Sequence, residues 1–141
     1  DLHLCDRRQR QMCIRDRTKE GASLVVGGTT DLGASRFGEE SPNVEKTFSG
    51  TSPEDFRILL AHQPKTGSLS KEKFDLQLSG HTHGGHIFFM YPILAYFNDG
   101  LVSGFYDRGD RKVYVTNGSG LWNGFTMRVG VPSEITFITL Q

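Results

Sequence analysis

The stretch Leu76-Gln-Leu-Ser-Gly-His81-Thr-His83-Gly-Gly-His86 decides how this sequence folds and what it does, because a short apolar run leads directly into three histidines. A run of this kind, bounded by polar residues and glycine, is typical of a buried strand. In an extended or turning backbone, residues two apart point to the same side, so His81 and His83 are expected to present their imidazoles together. The glycines allow the backbone to approach a ligand closely. The motif predicts a metal site, with a glycine-rich turn whose histidines face water as the alternative.

A fourth histidine lies at the end of another apolar run. His62 follows Arg57–Ala61 and precedes Gln63 and Pro64, a dipeptide that forces the chain to turn. Ligands of α/β sheets bind just beyond the carboxyl ends of strands, and His62 and His81 both occupy such positions. We therefore expect the two histidines to converge. Taken alone, His62 is better interpreted as a hydrogen-bonded histidine at the boundary of the core.

The rest of the pattern predicts an α/β fold with a mixed sheet, short helices and a β-rich C-terminal half. Helical signals are few: Ser52-Pro53-Glu54-Asp55 offers an N-cap and a first-turn proline, and Ser70–Phe74 is expected to form a short helical turn. Strands are expected at six short runs, namely Ser23–Gly27, Arg57–Ala61, Asp75–Ser79, His86–Met90, Lys112–Thr116 and Glu134–Leu140.

Length and charge exclude several classes of protein. A chain of 141 residues builds one core, and 16 Lys and Arg balance 16 Asp and Glu to a net charge of zero, which argues against a nucleic-acid partner. The longest apolar run, Ile87–Phe97, has 11 residues and contains Pro92, whereas a membrane-spanning helix needs about 20. We expect no membrane span in this chain.

The N-terminal residues differ from the rest of the chain in composition and periodicity. Residues 6–17 contain five arginines and two aspartates without helical or strand periodicity. The stretch 12–17 resembles translated sequencing-adapter sequence found in assembled environmental reads. We therefore interpret residues 1–17 as artefactual or disordered, and residues 18–141 as the folded unit. A basic, solvated arm is the competing interpretation.

Four stretches together resemble the calcineurin-like metallophosphoesterases, specifically the C-terminal half of bacterial phosphohydrolases that often carry N-terminal membrane segments. The resemblance runs from about Gly21 to the last residue. It implies a partial metallophosphoesterase sandwich. The stretches that carry it are Ile58–Pro64, Leu76–Gly85, Val113–Gly120 and Met127–Ile135.

The resemblance also implies a reaction and a set of ligands. In that family, two divalent ions about 3.5–4 Å apart clamp a phosphomonoester or phosphodiester and activate the attacking hydroxide. By resemblance, His62 and His81 bind one ion and His83 the other, with Mn, Fe, Zn, Co or Ni as the metal. His86 stands where this subgroup commonly has glutamine. We leave it out of the metal set and expect an exposed turn histidine.

The family's acidic and asparagine ligands have no counterpart between Thr18 and Phe56, where neither GDxxD nor GNH occurs. Asp1-Leu-His3 resembles the first family motif and is equally a chance triplet. Neutral histidines without a bridging carboxylate hold a divalent ion weakly. This chain alone is therefore predicted to be inactive or nearly so, and its exposed sheet surface is predicted to favour self-association.

Two other classes of protein remain open. One is a non-catalytic metal-binding or interaction domain. The other is a β-rich binding module with coincidental histidines, in which His62 would lie more than about 8 Å from the His81 and His83 pair, too far for ligands of neighbouring ions.

For several further residues we expect ordinary structural roles. Asp31 is expected to cap a turn, and Arg128 to pair with Glu134 at the surface and not with a phosphate. Trp122 and Phe125 are expected to seal the sheet edge and not to line a pocket.

Overall fold

One mixed sheet organises the described part of the chain. The computed structural model describes residues 15–19 and 22–140 except residues 123 and 125, with only the backbone for 15–19 and 22. Its strands have the spatial order β1-β2-β3-β4-β6-β5. The strands are β1 Arg15–Lys19, β2 Ala22–Gly28, β3 Phe56–Leu60, β4 Leu76–Ser79, β5 Gly104–Asp107 and β6 Lys112–Val115. The predicted α/β class with a mixed sheet and short helices is confirmed.

The helical segments are all short. Two are α-helices, α1 Val44–Thr47 and α2 Tyr91–Phe97. Short 3₁₀ turns complete the connections, at Ala34–Phe37, Pro64–Leu69, His83–Gly85 and Phe88–Met90. Within the described residues, no helix is both long enough and apolar enough to cross a membrane.

Strands β2, β3, β4 and β6 run parallel, so their carboxyl ends share one edge of the sheet. The outer strands β1 and β5 pair antiparallel with β2 and β6. Two clusters of buried apolar side chains cover the sheet. The first contains Val25, Val44, Phe48, Leu59, Ala61 and Phe74, and the second contains Leu101, Val113 and Val115.

Four of the six expected strands are confirmed to within one residue at each end, at Ser23–Gly27, Arg57–Ala61, Asp75–Ser79 and Lys112–Thr116. The expected strand at His86–Met90 is wrong, because Ile87 bridges only Val129 and the chain then turns into a 3₁₀ segment. The expected strand at Glu134–Leu140 is also wrong. No described strand pairs with that segment, and its side chains are mostly exposed.

The two expected helical turns are absent. At Ser52, the backbone N–H donates to the Asp55 carboxylate at 2.8 Å, which closes a tight turn, and β3 begins at the next residue, Phe56. At Ser70, the side-chain oxygen accepts the Glu72 N–H at 2.9 Å, a local turn that replaces the helix. In both places a side chain satisfies backbone groups that a helix would otherwise use.

The predicted boundary at residue 18 falls inside β1, whose backbone pairs Arg17 with Leu24 and Thr18 with Ser23. Residues 1–14 lie outside the described residues, so the interpretation of that stretch stays a prediction. Self-association also stays a prediction. The apolar side chains of Phe56 and Leu60 in β3 are exposed, as that prediction requires.

A buried polar network ties the loop after β3 to β4. The Gln77 amide, which is fully buried, donates to the Pro64 carbonyl at 2.8 Å and to the Ser79 hydroxyl at 2.8 Å. The Ser79 hydroxyl in turn donates to the Ala61 carbonyl at 2.6 Å. These bonds hold residues 61–64 against the end of β4, two residues before His81.

We expect Gln77→Leu to lower the free energy of unfolding by about 1–3 kcal/mol, because the Pro64 carbonyl would be left buried without its donor. Urea denaturation measures the change. The matched control is Gln63→Leu, since the half-buried Gln63 amide can be replaced by water. Equal destabilisation by both variants would contradict the role assigned to the network.

Candidate metal centre

His62 and His81 meet at the carboxyl edge of the parallel strands. Leu60 of β3 pairs with Leu78 of β4, and the Gly80 N–H donates to the His62 carbonyl at 3.1 Å. The His81 Nδ1 atom lies 3.1 Å from the His62 Nε2 atom, and the ring centroids are 4.9 Å apart. The structure therefore brings together the two strand-end histidines. Between His62 and His81, the separation beyond about 8 Å that coincidental histidines would show is not observed.

His83 and His86 form a second pair that faces the same cavity as the first. Their rings stack, with centroids 4.6 Å apart and planes inclined by 23°. The His86 ring also lies 6.3 Å from the Trp122 ring. The expectation of an exposed turn histidine at His86 is wrong, because packing against His83 leaves it half-buried in the cavity wall.

The histidine loop has an unusual backbone. His81, His83 and His86 adopt φ values of 71°, 50° and 58°, in the left-handed half of φ/ψ space that non-glycine residues rarely occupy. Such conformations cost on the order of 1–3 kcal/mol each and persist only where the surroundings determine them. The histidines are thus directed by tight turns and not by the alternation of an extended chain.

Two side chains hold this loop in place. The Thr82 hydroxyl, which is buried, donates to the Val102 carbonyl at 2.6 Å. The Arg128 guanidinium donates to the His83 carbonyl at 3.3 Å and to the Asn117 carbonyl at 2.8 Å. Arg128 therefore connects the loop after β4 with the loop after β6.

Arg128 does not pair with Glu134, so that expectation is wrong. Its Nη2 atom also donates to the carbonyls of Gly118 at 3.1 Å and Gly120 at 2.7 Å. A planar guanidinium has five N–H donors, and backbone carbonyls, not a carboxylate, accept those of the two terminal nitrogens, while the buried Nε has no partner among the described residues.

Glu134 instead closes the loop after β6. Burial favours its neutral form, but the Thr136 and Tyr114 hydroxyls and the Asn117 N–H, at 3.1 Å, donate to the carboxylate and lower its pKa. The ionised carboxylate therefore stabilises the backbone of Asn117, whose carbonyl Arg128 binds.

The four histidines line a cavity of about 750 Å³. The rest of its wall is mostly apolar, and none of the described residues that line the cavity is Lys, Arg, Asp or Glu. Trp122 lies in this wall, so the expectation that it seals the sheet edge is wrong. Phe125 lies outside the described residues. The full lining is His62, His81, Thr82, His83, Gly85, His86, Ile87, Phe89, Met90, Leu94, Asn98, Trp122 and Gly124.

Asp31 caps its own turn, as expected, by accepting the Gly33 N–H at 2.7 Å. Its two carboxylate oxygens also accept the Gln63 amide at 3.1 and 3.2 Å. Asp31 thus contacts the residue that follows His62 and does not line the cavity.

The donor set fits a divalent ion in its chemistry. Desolvation and then the nearby His62 lower the pKa of His81, while desolvation and then His86 lower that of His83. Both imidazoles are therefore neutral at pH 7, the state that binds metal. The His62 Nε2 and His81 Nδ1 atoms, 3.1 Å apart, are close enough for both to bind one ion.

The same residues do not complete a metal site by themselves. Among the described residues, no three or more His, Cys, Asp or Glu side chains are arranged to hold one metal ion. The described residues supply two pairs of imidazoles, His62 with His81 and His83 with His86, in the wall of one cavity.

Known proteins with similar sequences share one description. An uncharacterized metallophosphoesterase of Campylobacter jejuni is 42% identical over 121 residues, which cover 84% of this chain and 32% of that protein. A transmembrane protein with metallophosphoesterase domain of Danio rerio is 38% identical over 124 residues, 84% of this chain and 28% of that protein. An uncharacterized metallophosphoesterase of Bacillus subtilis is 35% identical over 126 residues, 86% of this chain and 42% of that protein.

No family model and no solved structure matches the chain. The chain spans about a third of the length of the first of these curated relatives. The strand-end histidines, the mixed sheet and these relatives agree, and the chain belongs to the calcineurin-like metallophosphoesterase superfamily. The resemblance stated from the sequence is confirmed.

Sequence reasoning missed the residues that support the histidines. Gln77 and Thr82 gave no signal, because a polar residue inside an apolar strand or between two histidines is expected to face water. Asn117 stood in a stretch that carried the family resemblance, but its contact with Arg128 joins positions 11 apart in the chain.

We expect Gly84→Ala to destabilise the histidine loop. Gly84 has φ 63°, and an added Cβ would lie 2.3 Å from the Asn117 Oδ1 atom and 2.6 Å from a Val131 methyl group. The matched control is Gly118→Ala, at φ 69°, where an added Cβ meets nothing within 4 Å. Both substitutions place a Cβ on a residue with positive φ, which costs about 1–2 kcal/mol. Only Gly84→Ala also makes that Cβ overlap with neighbouring side chains.

Chemical denaturation of the two variants measures the difference. Gly84→Ala is expected to lose more free energy of unfolding than Gly118→Ala. Identical losses would show that the loop does not depend on the close approach of Asn117.

Proposed function

We propose that this chain forms the histidine wall of a dinuclear metal centre in an enzyme that hydrolyses phosphomonoesters or phosphodiesters. The observation that carries the proposal is the 3.1 Å contact between the His62 Nε2 and His81 Nδ1 atoms at the carboxyl edge of the parallel strands. Membership of the metallophosphoesterase superfamily supports the reaction class.

In this proposal, His62 and His81 hold one divalent ion and His83 holds the second, with Mn, Fe, Zn, Co or Ni as candidates. When bound, such ions polarise the phosphoryl oxygens and lower the pKa of a bound water. The chain's own residues direct the imidazoles. Arg128 fixes the backbone of His83, and Gly84 lets Asn117 and Val131 pack closely against the loop.

We also propose that the chain alone is catalytically incompetent or nearly so. The cavity lining among the described residues contains no carboxylate, and the nearby Asp31 is engaged by Gln63 and Gly33. Neutral imidazoles give no anionic charge to offset an ion's lost hydration, so they bind a divalent ion weakly. Asp1 and His3, which resemble a family motif, lie outside the described residues.

The second candidate is a non-catalytic metal-binding domain. It is favoured by the absence of acidic side chains from the described cavity lining. In that case metal would raise the melting temperature, by an amount that grows with the ratio of metal concentration to Kd, and no turnover would occur.

Metal binding is expected to depend on the strand-end pair. We expect Zn²⁺ to bind the full chain in isothermal titration calorimetry, and His62→Ala or His81→Ala to weaken binding at least about tenfold, through loss of one ligand. The control is Glu54→Ala, which removes an exposed carboxylate outside the cavity and is expected to leave the affinity unchanged. Unaltered affinity in both histidine variants would refute the assignment.

The metal-loaded chain is expected to show no hydrolysis of bis(p-nitrophenyl) phosphate above the buffer rate, because the anionic ligands are lacking. Release of p-nitrophenolate measures the rate. Turnover that His81→Ala abolishes would overturn the proposal of incompetence and support a complete centre in this chain.

A further inference from the structure

We infer that the histidine cavity takes a phosphoester whose organic group is apolar, with that group lying against Ile87, Phe89, Met90, Leu94 and Trp122. The phosphate end of this ligand rests on the proposed function. The apolar end rests on the cavity wall alone.

The shape of the cavity supports a ligand larger than phosphate. Its volume of about 750 Å³ is within the usual range of pockets that enclose whole small molecules. The four histidines and the apolar side chains line the same cavity, so one ligand can contact both.

The polarity of the wall limits the class of organic group. Apart from the histidines, its polar side chains are Thr82 and Asn98. The Thr82 hydroxyl already donates to the Val102 carbonyl, and the Asn98 amide to the Leu94 carbonyl at 2.9 Å. A sugar or a second phosphate would find few side-chain partners here beyond the histidines, whereas burial of an alkyl or aryl group against the apolar wall is favourable.

The surface beside the cavity continues the apolar wall. Helix α2, with the sequence Tyr-Pro-Ile-Leu-Ala-Tyr-Phe, has no buried side chain and no polar face. Phe88 and Phe89, which precede it, are 65% and 61% exposed. Exposed apolar surface of this kind next to a cavity is typical of a ligand-binding site, so a chain longer than the cavity can extend along α2.

Trp122 provides a direct probe, because it is the chain's single tryptophan and lies in the wall. We expect octyl phosphate, titrated below its micellar concentration into the Zn²⁺-loaded chain, to blue-shift Trp122 fluorescence. It should bind at least about tenfold more tightly than ethyl phosphate, because it buries six more methylene groups.

The wall residue Phe89 has a matched control. Phe89→Ala is expected to weaken octyl phosphate binding several-fold and to leave ethyl phosphate binding unchanged. Phe137→Ala removes another exposed phenyl ring that does not line the cavity, and is expected to change neither.

The outcomes separate the two proposals. Equal affinity for octyl and ethyl phosphate, with His81-dependent binding of both, would overturn the apolar inference and leave the proposed function standing. Chain-length dependence that is unaffected by His81→Ala and by removal of metal would support the apolar wall and contradict the phosphate site. A Trp122 shift with neutral phosphatidylcholine vesicles, and none with monomeric octyl phosphate, would overturn the inference in favour of a membrane-docking surface.

Discussion

The parallel pairing of β3 with β4 is the constraint on which the site depends. It places His62 and His81, 19 positions apart in the chain, within 3.1 Å of each other. Leu60 pairs with Leu78 in this register, and the buried amide of Gln77 ties the loop that follows β3 to β4. A slip of one residue would turn every side chain of β4 to the opposite face and separate the imidazoles.

The histidine loop after β4 stores strain that the rest of the domain offsets. Three histidines adopt positive φ, and isolated peptides of this sequence would not hold that conformation. The buried Thr82 hydroxyl anchors the loop from within, and Arg128 binds it from the loop after β6. The rigid orientation of His83 is therefore a property of three separate chain segments.

The site is chemically one-sided. It presents imidazoles and an apolar wall, while the described lining has no carboxylate. This chain spans about a third of the length of the Campylobacter jejuni relative. In the proposed function, the histidines of this chain are therefore one part of the ligand set and not all of it.

The residue pattern along the chain was enough to predict four strands and the strand-end positions of His62 and His81, because apolar runs and polar breaks are local properties. The family came from the resemblance of four stretches of sequence and not from that pattern. The turn in place of a strand at His86–Met90, the helix α2 and the clamp formed by Arg128 were decided only by tertiary structure. Arg128 can bind the backbone carbonyls only after distant segments of the chain have come together. An apolar run likewise pairs as a strand only when a partner strand lies beside it. The position of Trp122 was also decided by tertiary structure. A pocket and a sheet edge are equally apolar surroundings for an indole ring, so the sequence does not distinguish them before the loops after β4 and β6 pack together.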